Sequence, residues 1–436
     1  MRSVYPNKKK GRAGLIPTGK NLTKGMSMID SENLSKLLGH LPPAKFRDLI
    51  TTEFGMLLPV LEPKQGKREQ RAAMAAALSA IPVASRQKME DLAERIALLA
   101  DGAGQDVIEG LADDIAGDDG KMEFGEIRNQ FERALWLHIH EPKIFKEALD
   151  ARQADVFRQS ESCYSGFVAP LHLAVKVDAA SRADFHQRVA KHLGCAVEAV
   201  AIQIFKRLRP DTDTGEEVDL YQISMHHNRP PETVDRVQDS ELVPQEVVRT
   251  KSIHATYEPA NGHLEVLSRG TDGREVLAAI VGECLLHSPI AGEKMEIKQY
   301  DYQSLAAPRN FDLTGENVAS VKVIELGYSV GHHRSALVKI WANDVQDIYG
   351  AARALLVPTF DFSSKNLNYA KLAIRVNKVG VERARTITIV LRENNRCNIK
   401  TKRERDRAMC DRLLTKWHLL KVIGDAPAIP VYAKTA

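Results

Sequence analysis

Apolar positions change their period along this chain. Between Asp30 and Ala100 they recur every three or four residues: Leu34, Leu37, Leu38 and Leu41, then Phe46, Leu49, Ile50 and Phe54, then Met89, Leu92, Ile96 and Leu99. That spacing puts each set on one helix face. Asp30 or Ser31 caps the first helix, Leu41-Pro-Pro ends it, Gly55 closes the second, another spans Arg68–Ser79, and Ser85 opens the last. An all-α bundle over 29–101 is expected. Ahead of it, residues 1–28 carry Lys, Gly, Pro and Asn without a hydrophobic period and read as a mobile basic arm. After it, 102–160 reads as an acidic, glycine-rich linker followed by long helices, with Pro142 as the break between Phe124 and Phe157.

From Pro170 the period shortens to two. Leu171–Val177, Val200–Arg207 and Asp219–His227 read as strands, and Arg182–Leu193 as a helix ended by Gly194. A hairpin followed by a helix then recurs. Lys251–Tyr257 with His263–Leu267 leads to a helix over Arg274–Leu286, and Val318–Leu326 with Ser335–Trp341 leads to one capped near Asn343. Lys371–Val376, a β-branched strand at Arg385–Val390 and a short return at Arg396–Lys400 lead to a helix from Thr401, whose Met409, Leu413, Trp417 and Leu420 share a face. The expected fold is multidomain: the N-terminal all-α bundle, then an α+β domain over 161–436 with a largely antiparallel sheet and covering helices.

Composition narrows the function classes. At 436 residues, with 44% hydrophobic and 27% charged positions, the chain is that of an ordinary globular protein with more than one core. A net charge of +4 is small for this length, so affinity for nucleic acid has to come from a local patch. The cysteines Cys163, Cys195, Cys284, Cys397 and Cys410 are odd in number and never form C-x-x-C, which argues against a disulfide framework or zinc ribbon and fits the cytoplasm. Neither a signal peptide nor a membrane-spanning run is expected. No cofactor motif is present: Walker A, G-x-G-x-x-G, G-x-S-x-G and H-E-x-x-H are all missing.

The patch lies near the C-terminus. Arg392, Arg396, Lys400, Lys402, Arg403, Arg405 and Arg407 predict a positive edge that meets phosphates on RNA, DNA or a nucleotide. Glu404, Asp406 and Asp411 interrupt that run, so the competing reading is a solvated helix face with internal charge pairs. Metal sites are not expected: His226-His227 and His332-His333 are neighbours that point to opposite faces of a strand, and the Asp113–Asp119 cluster lacks EF-hand spacing. Glu296-Ile-Lys298 has the E-x-K form used by a nuclease fold.

Two resemblances add to this. Leu37-Leu-Gly-His-Leu-Pro-Pro-Ala-Lys-Phe-Arg-Asp-Leu49 with Arg71-Ala-Ala-Met-Ala-Ala-Ala-Leu78 resembles the helical effector-associated or death-like adaptor modules of bacterial signalling and defence proteins. It implies docking to a protein partner, or self-association, through the N-terminal helices. Arg133-Ala-Leu-Trp-Leu-His138 resembles the Arg-x4-6-His signature of HEPN ribonucleases, which implies metal-independent cleavage with His138 moving a proton and Arg133 holding the phosphate. The leading expectation is an interaction protein that binds nucleic acid and a partner. A ribonuclease using Arg133 and His138, and a structural subunit without a ligand, are the alternatives.

Overall fold

A computed structural model describes residues 31–60, 62, 64–158, 163–210, 216–238, 241–269, 273–290, 298–329, 337–342, 347–377, 384–393, 396–399 and 402–422. The basic arm, His332-His333, Glu296 and Lys400 lie outside the described residues. The chain forms two compact units, divided between Glu94 and Arg95 within a single helix.

The first unit contains α1 (Glu32–His40), α2 (Pro43–Phe54), α3 (Lys67–Ser79) and most of α4 (Val83–Leu99). The stripes read from the sequence face inward: Leu34, Leu37, Leu38, Phe46, Leu49, Ile50, Met74, Leu78 and Met89 are buried. Glu90 fixes the start of α1 by accepting the otherwise orphaned N–H groups of Asn33 and Leu34, each at 2.8 Å. What this unit presents outward is different: Leu57 and Val60, between α2 and α3, are exposed apolar residues.

The second unit is mixed α+β. It opens with α5 (Gly102–Leu111), α6 (Asp118–Glu126), α7 (Gln130–His140) and α8 (Pro142–Arg158). A linker was the expectation for Gly102–Leu111, yet it is a helix. Asp101 caps it by accepting from the Gly104 N–H at 2.7 Å, and Val107, Ile108 and Leu111 are buried, so glycine marks close packing here rather than a loop. A Cβ on Gly110 would strike the Leu208 carbonyl oxygen. Gly110→Ala should therefore push α5 off its neighbouring strand and destabilise this unit by about 1–3 kcal/mol, read as a lowered urea midpoint. An unchanged midpoint would mean that the helix shifts at no cost.

β1 (Tyr164–Val168), α9 (Ala179–Leu193), β2 (Val200–Pro210), β3 (Glu217–Asn228), β4 (Glu232–Gln238), β5 (Glu241–Val247), β6 (Thr250–Glu258), β7 (His263–Leu267) and α10 (Arg274–Val281) follow. β8 (Lys298–Tyr300), β9 (Val318–Ser329), β10 (Leu337–Trp341), α11 (Ile348–Leu355), β11 (Leu367–Val376), β12 (Arg385–Arg392), β13 (Arg396–Cys397), α12 (Glu404–Lys416) and β14 (Leu420–Val422) complete the unit. Two five-stranded sheets result, β1-β7-β6-β3-β2 and β10-β9-β11-β12-β13, with two-stranded pairs β4-β5 and β8-β14 beside them. Every recorded strand pair is antiparallel.

The three hairpins expected from the sequence are β6-β7, β9-β10 and β12-β13, the last two sharing one sheet because β11 pairs with both β9 and β12. Leu171–Val177 is not a strand despite its alternation. The His172 and Lys176 amides donate to the carbonyls of Pro259 and Leu285 rather than to a ladder, and Leu171 and Val177 stay exposed.

Each large sheet has one apolar face. In the first, Ile223, Met225, Ile253, Ala255, Tyr257, Leu264 and Val266 pack with Phe185 and Val189 of α9 and Leu277 and Val281 of α10. In the second, Leu326, Leu372, Ile374, Ile387, Ile389 and Leu391 pack with Ile348 and Ala352 of α11 and Met409 and Leu413 of α12.

Candidate nucleic-acid interface

The two outer faces have different fates. On the first sheet, strand alternation turns Gln203, Arg207, Arg209, Gln222, Ser224, His226, Ser252, His254, Thr256, Glu258 and Glu265 away from the apolar core. This polar face is covered. Arg158 of α8 donates to Glu265 at 2.8 Å and pairs with Asp155, while Thr256 donates to the same Glu265 at 3.0 Å. Arg207 donates to Glu404 of α12 at 2.8 Å, Arg209 pairs with Glu258, and Arg407 pairs with Glu404 at 3.5 Å. These charges are nearly all buried, so they satisfy one another in place of water.

Two histidines sit at the other end of that face. His226 meets Ser252 Oγ through Nδ1 at 3.0 Å and Asp150 through Nε2 at 3.3 Å, whereas His254 meets Ser224 Oγ at 3.0 Å and Gln153 at 3.1 Å. Burial pushes the His254 imidazole down to about 4 from an ordinary value of 6.5, so it is neutral at pH 7. The unfolded chain takes up that proton first as the pH falls. Stability present above about 6.5 should therefore be lost as the pH drops through about 4. His254→Gln should flatten that decline in urea titrations, and an equally steep decline would assign it elsewhere. Among the described residues, no group of three or more His, Cys, Asp or Glu is placed to hold a metal ion.

Among the described residues, the second sheet's outer face is open. β11 and β12 run in unbroken register, so Tyr369, Lys371, Ala373 and Arg375 share this face with Arg392, Val390, Thr388 and Thr386. Pairing with β9 adds Gly327, Glu325, Lys322 and Ser320, and β10 adds Lys339 and Trp341. Across the strands the first row reads Lys339, Gly327, Tyr369, Arg392, Arg396, and the second reads Trp341, Glu325, Lys371, Val390. Lys322, Lys339, Arg375, Arg392 and Arg396 are exposed, and Trp341 is 70% exposed. Glu325 is the carboxylate of these rows. It stands 3.7 Å from both Lys339 and Lys371 and accepts from the Tyr369 hydroxyl at 3.2 Å.

Tyr369 organises the cations around it. The Lys339 ammonium lies 3.6 Å from the ring centroid and the Arg392 guanidinium carbon 5.6 Å, so one aromatic ring holds positive groups from both neighbouring regions of the sheet. The ring itself is nearly buried beneath them. Trp341, on edge strand β10, is the exposed aromatic side chain of these two rows.

The structure thus divides the positive edge expected from the sequence. Arg392 and Arg396 belong to the open face. Arg403 is 3.2 Å from Asp406 and 3.7 Å from Asp106, and Arg405 is 2.9 Å from Glu109 and 3.8 Å from both Asp106 and Glu217. Arg407 turns inward to Glu404, and Lys402 is half-buried ahead of α12. Burial raises the Asp106 carboxyl to about 7 against the pull of Arg403 and Arg405, which leaves Asp406 and Glu109 as the closer carboxylates for the two arginines. The start of α12 therefore serves the interior of this unit more than a ligand.

Arg133 and His138 lie on α7, where five residues turn the helix by about 140°. Arg133 donates to Gln105 at 3.1 Å, pairs with Glu109 at 3.3 Å and covers the Phe124 ring, whereas the His138 ring meets Phe145 edge-on at 5.0 Å. The two side chains have separate surroundings. Sequence reasoning missed Lys339, Lys371, Tyr369 and Trp341 as site residues. Lys339, Trp341 and Lys371 stand at outward positions of strands expected from the sequence, whereas Tyr369 lies ahead of the strand expected at Lys371–Val376. No protein-family model matches the chain, and no curated protein matches its sequence.

Proposed function

We propose that this protein binds single-stranded nucleic acid across the open face of its second sheet. The observation that carries the reading is the run Lys339, Lys371, Arg392 and Arg396 around Tyr369, beside the exposed indole of Trp341. Cations spread over several strands follow a phosphate backbone, and a free aromatic face accepts an unstacked base of any identity. A single strand offers both groups together. A duplex hides its bases and would leave Trp341 without a role.

The test is fluorescence anisotropy with labelled single- and double-stranded RNA and DNA at two salt concentrations, with EDTA present. Binding should favour single strands, weaken as salt rises and leave the nucleic acid intact. Equal affinity for duplex, or binding that ignores salt, would overturn the reading. Metal-free cleavage would instead bring Arg133 and His138 forward.

A further inference from the structure

The β4-β5 ribbon continues the β3-β6 hairpin past Asn228 and Thr250, and among the described residues its two strands pair only with each other. A two-stranded ribbon alone in water is marginally stable at best. Register sets Thr233, Asp235 and Val237 opposite Glu246, Pro244 and Leu242 on one of its faces. Val237 and Leu242 are direct cross-strand partners and stay 69% and 68% exposed. The same face carries the carboxylates of Asp235 and Glu246 and no cation. It is an acidic strip with an aliphatic end.

The open face of the second sheet has the complementary composition: an exposed indole at one edge and Lys339, Lys371, Arg392 and Arg396 behind it. Both surfaces are exposed in the same chain, so the ribbon is not seated on its own sheet. We propose that the ribbon of one copy docks on the open sheet face of a second copy, with Val237 and Leu242 against Trp341 and with Asp235 and Glu246 against the Lys and Arg side chains. The contact is heterologous, since each copy offers a ribbon to one neighbour and a sheet face to another, so it propagates into chains unless a ring closes. The inference uses the same open face as the nucleic-acid reading, which makes the two ligands exclusive. A single strand should therefore dissolve the chains.

Sedimentation velocity on the full-length protein tests this. The mass should grow with protein concentration and fall as salt or a single-stranded oligonucleotide is added. Two ribbon variants, Val237→Asp/Leu242→Asp and Asp235→Lys/Glu246→Lys, should each weaken association by about tenfold or more. Because these side chains are exposed, folding is not at issue, and the lysine variant checks the charge argument without touching the aliphatic pair. The face variant Trp341→Ala/Lys371→Glu should be equally defective alone. Mixed with a ribbon variant it should recover a species of two chains, since each supplies the half the other lacks.

A wild-type protein that stays monomeric at its highest soluble concentration overturns the proposal, as does a ribbon variant that associates normally or a mixture that stays monomeric. The oligonucleotide affinity of the ribbon variants separates the two ideas. In these variants it should be intact. Oligonucleotide binding by a wild-type protein that never associates removes the docking alone, while wild-type association without oligonucleotide binding removes the nucleic-acid reading alone.

Discussion

Charge reversal of Lys339, Lys371 and Arg392 to glutamate is expected to lower affinity for a single-stranded oligonucleotide by roughly a hundredfold or more at low salt. Each phosphate contact on a single strand contributes about 0.7 to the slope of log affinity against log salt, so losing these three should flatten that slope by about 2. Trp341→Ala should behave differently. Removing one stacking surface costs about 1–3 kcal/mol and leaves the salt slope as it was, because no ion is released from an indole. Arg403→Gln and Arg405→Gln provide the contrast, because both arginines lie against carboxylates of α5 and α12. If the α12 arginines lowered affinity and the sheet residues did not, the ligand would follow the C-terminal helix and the open face would lose its role.

The second large effect is on stability. Glu404→Ala should cost about 3–5 kcal/mol, because it takes from Arg207 and Arg407 their shared carboxylate and leaves Arg209 to Glu258, in a site that water does not reach. Such a network is weak evidence for stability when compared with a well-packed apolar core. Removing one member is a different matter, since the cost of burying the remaining charges stays. Burial by itself would raise the Glu404 carboxyl, but Arg207, Arg209 and Arg407 outweigh it and hold the group well below the carboxylate range. Glu265 is lowered in the same way, burial opposing and Arg158, Arg209 and Arg407 prevailing, to about 2 from 4.5.

The direction of the pH effect follows from those shifts. As acid is added, the unfolded chain protonates these carboxyls first, so the stability they give is whole above about 4.5 and declines as the pH falls towards 2. Urea denaturation of wild type and Glu404→Ala at neutral and acidic pH measures both quantities. A gap between the two proteins that stays constant down to about pH 3 would place the acid sensitivity outside this network.

Much of the architecture was legible locally. The helices of the first unit, α9 with its Gly194 cap, and the hairpins β6-β7, β9-β10 and β12-β13 follow from periods of 3.6 and 2 and from turn residues. Other elements, α5 among them, were not. The β4-β5 ribbon carries Pro244 and several carboxylates, tolerated because it has no interior ladder to interrupt, and β1 is short with a glycine at its centre. The positive edge was legible only as a list of charges. Arg403, Arg405 and Arg407 look as available in sequence as Arg392 and Arg396. What separates them is that Glu404 and Asp406 of the same helix take up Arg407 and Arg403, while Asp106, Glu109 and Glu217 arrive from distant segments to meet Arg403 and Arg405. The open face was hidden for the opposite reason, since Lys339, Lys371 and Trp341 become neighbours only because β9 and β11 sit side by side.

The bond from Arg207 to Glu404 joins positions 197 residues apart, so at about 5–20 residues per second the ribosome delivers the two partners roughly 10–40 s apart. During that interval the first sheet can complete its backbone ladder while Arg207 and Arg209 still lack the α12 carboxylate. At this stage Arg209 can already meet Glu258 of β6, whereas Arg207 waits for Glu404, so α12 brings the carboxylate that the first sheet does not supply to Arg207.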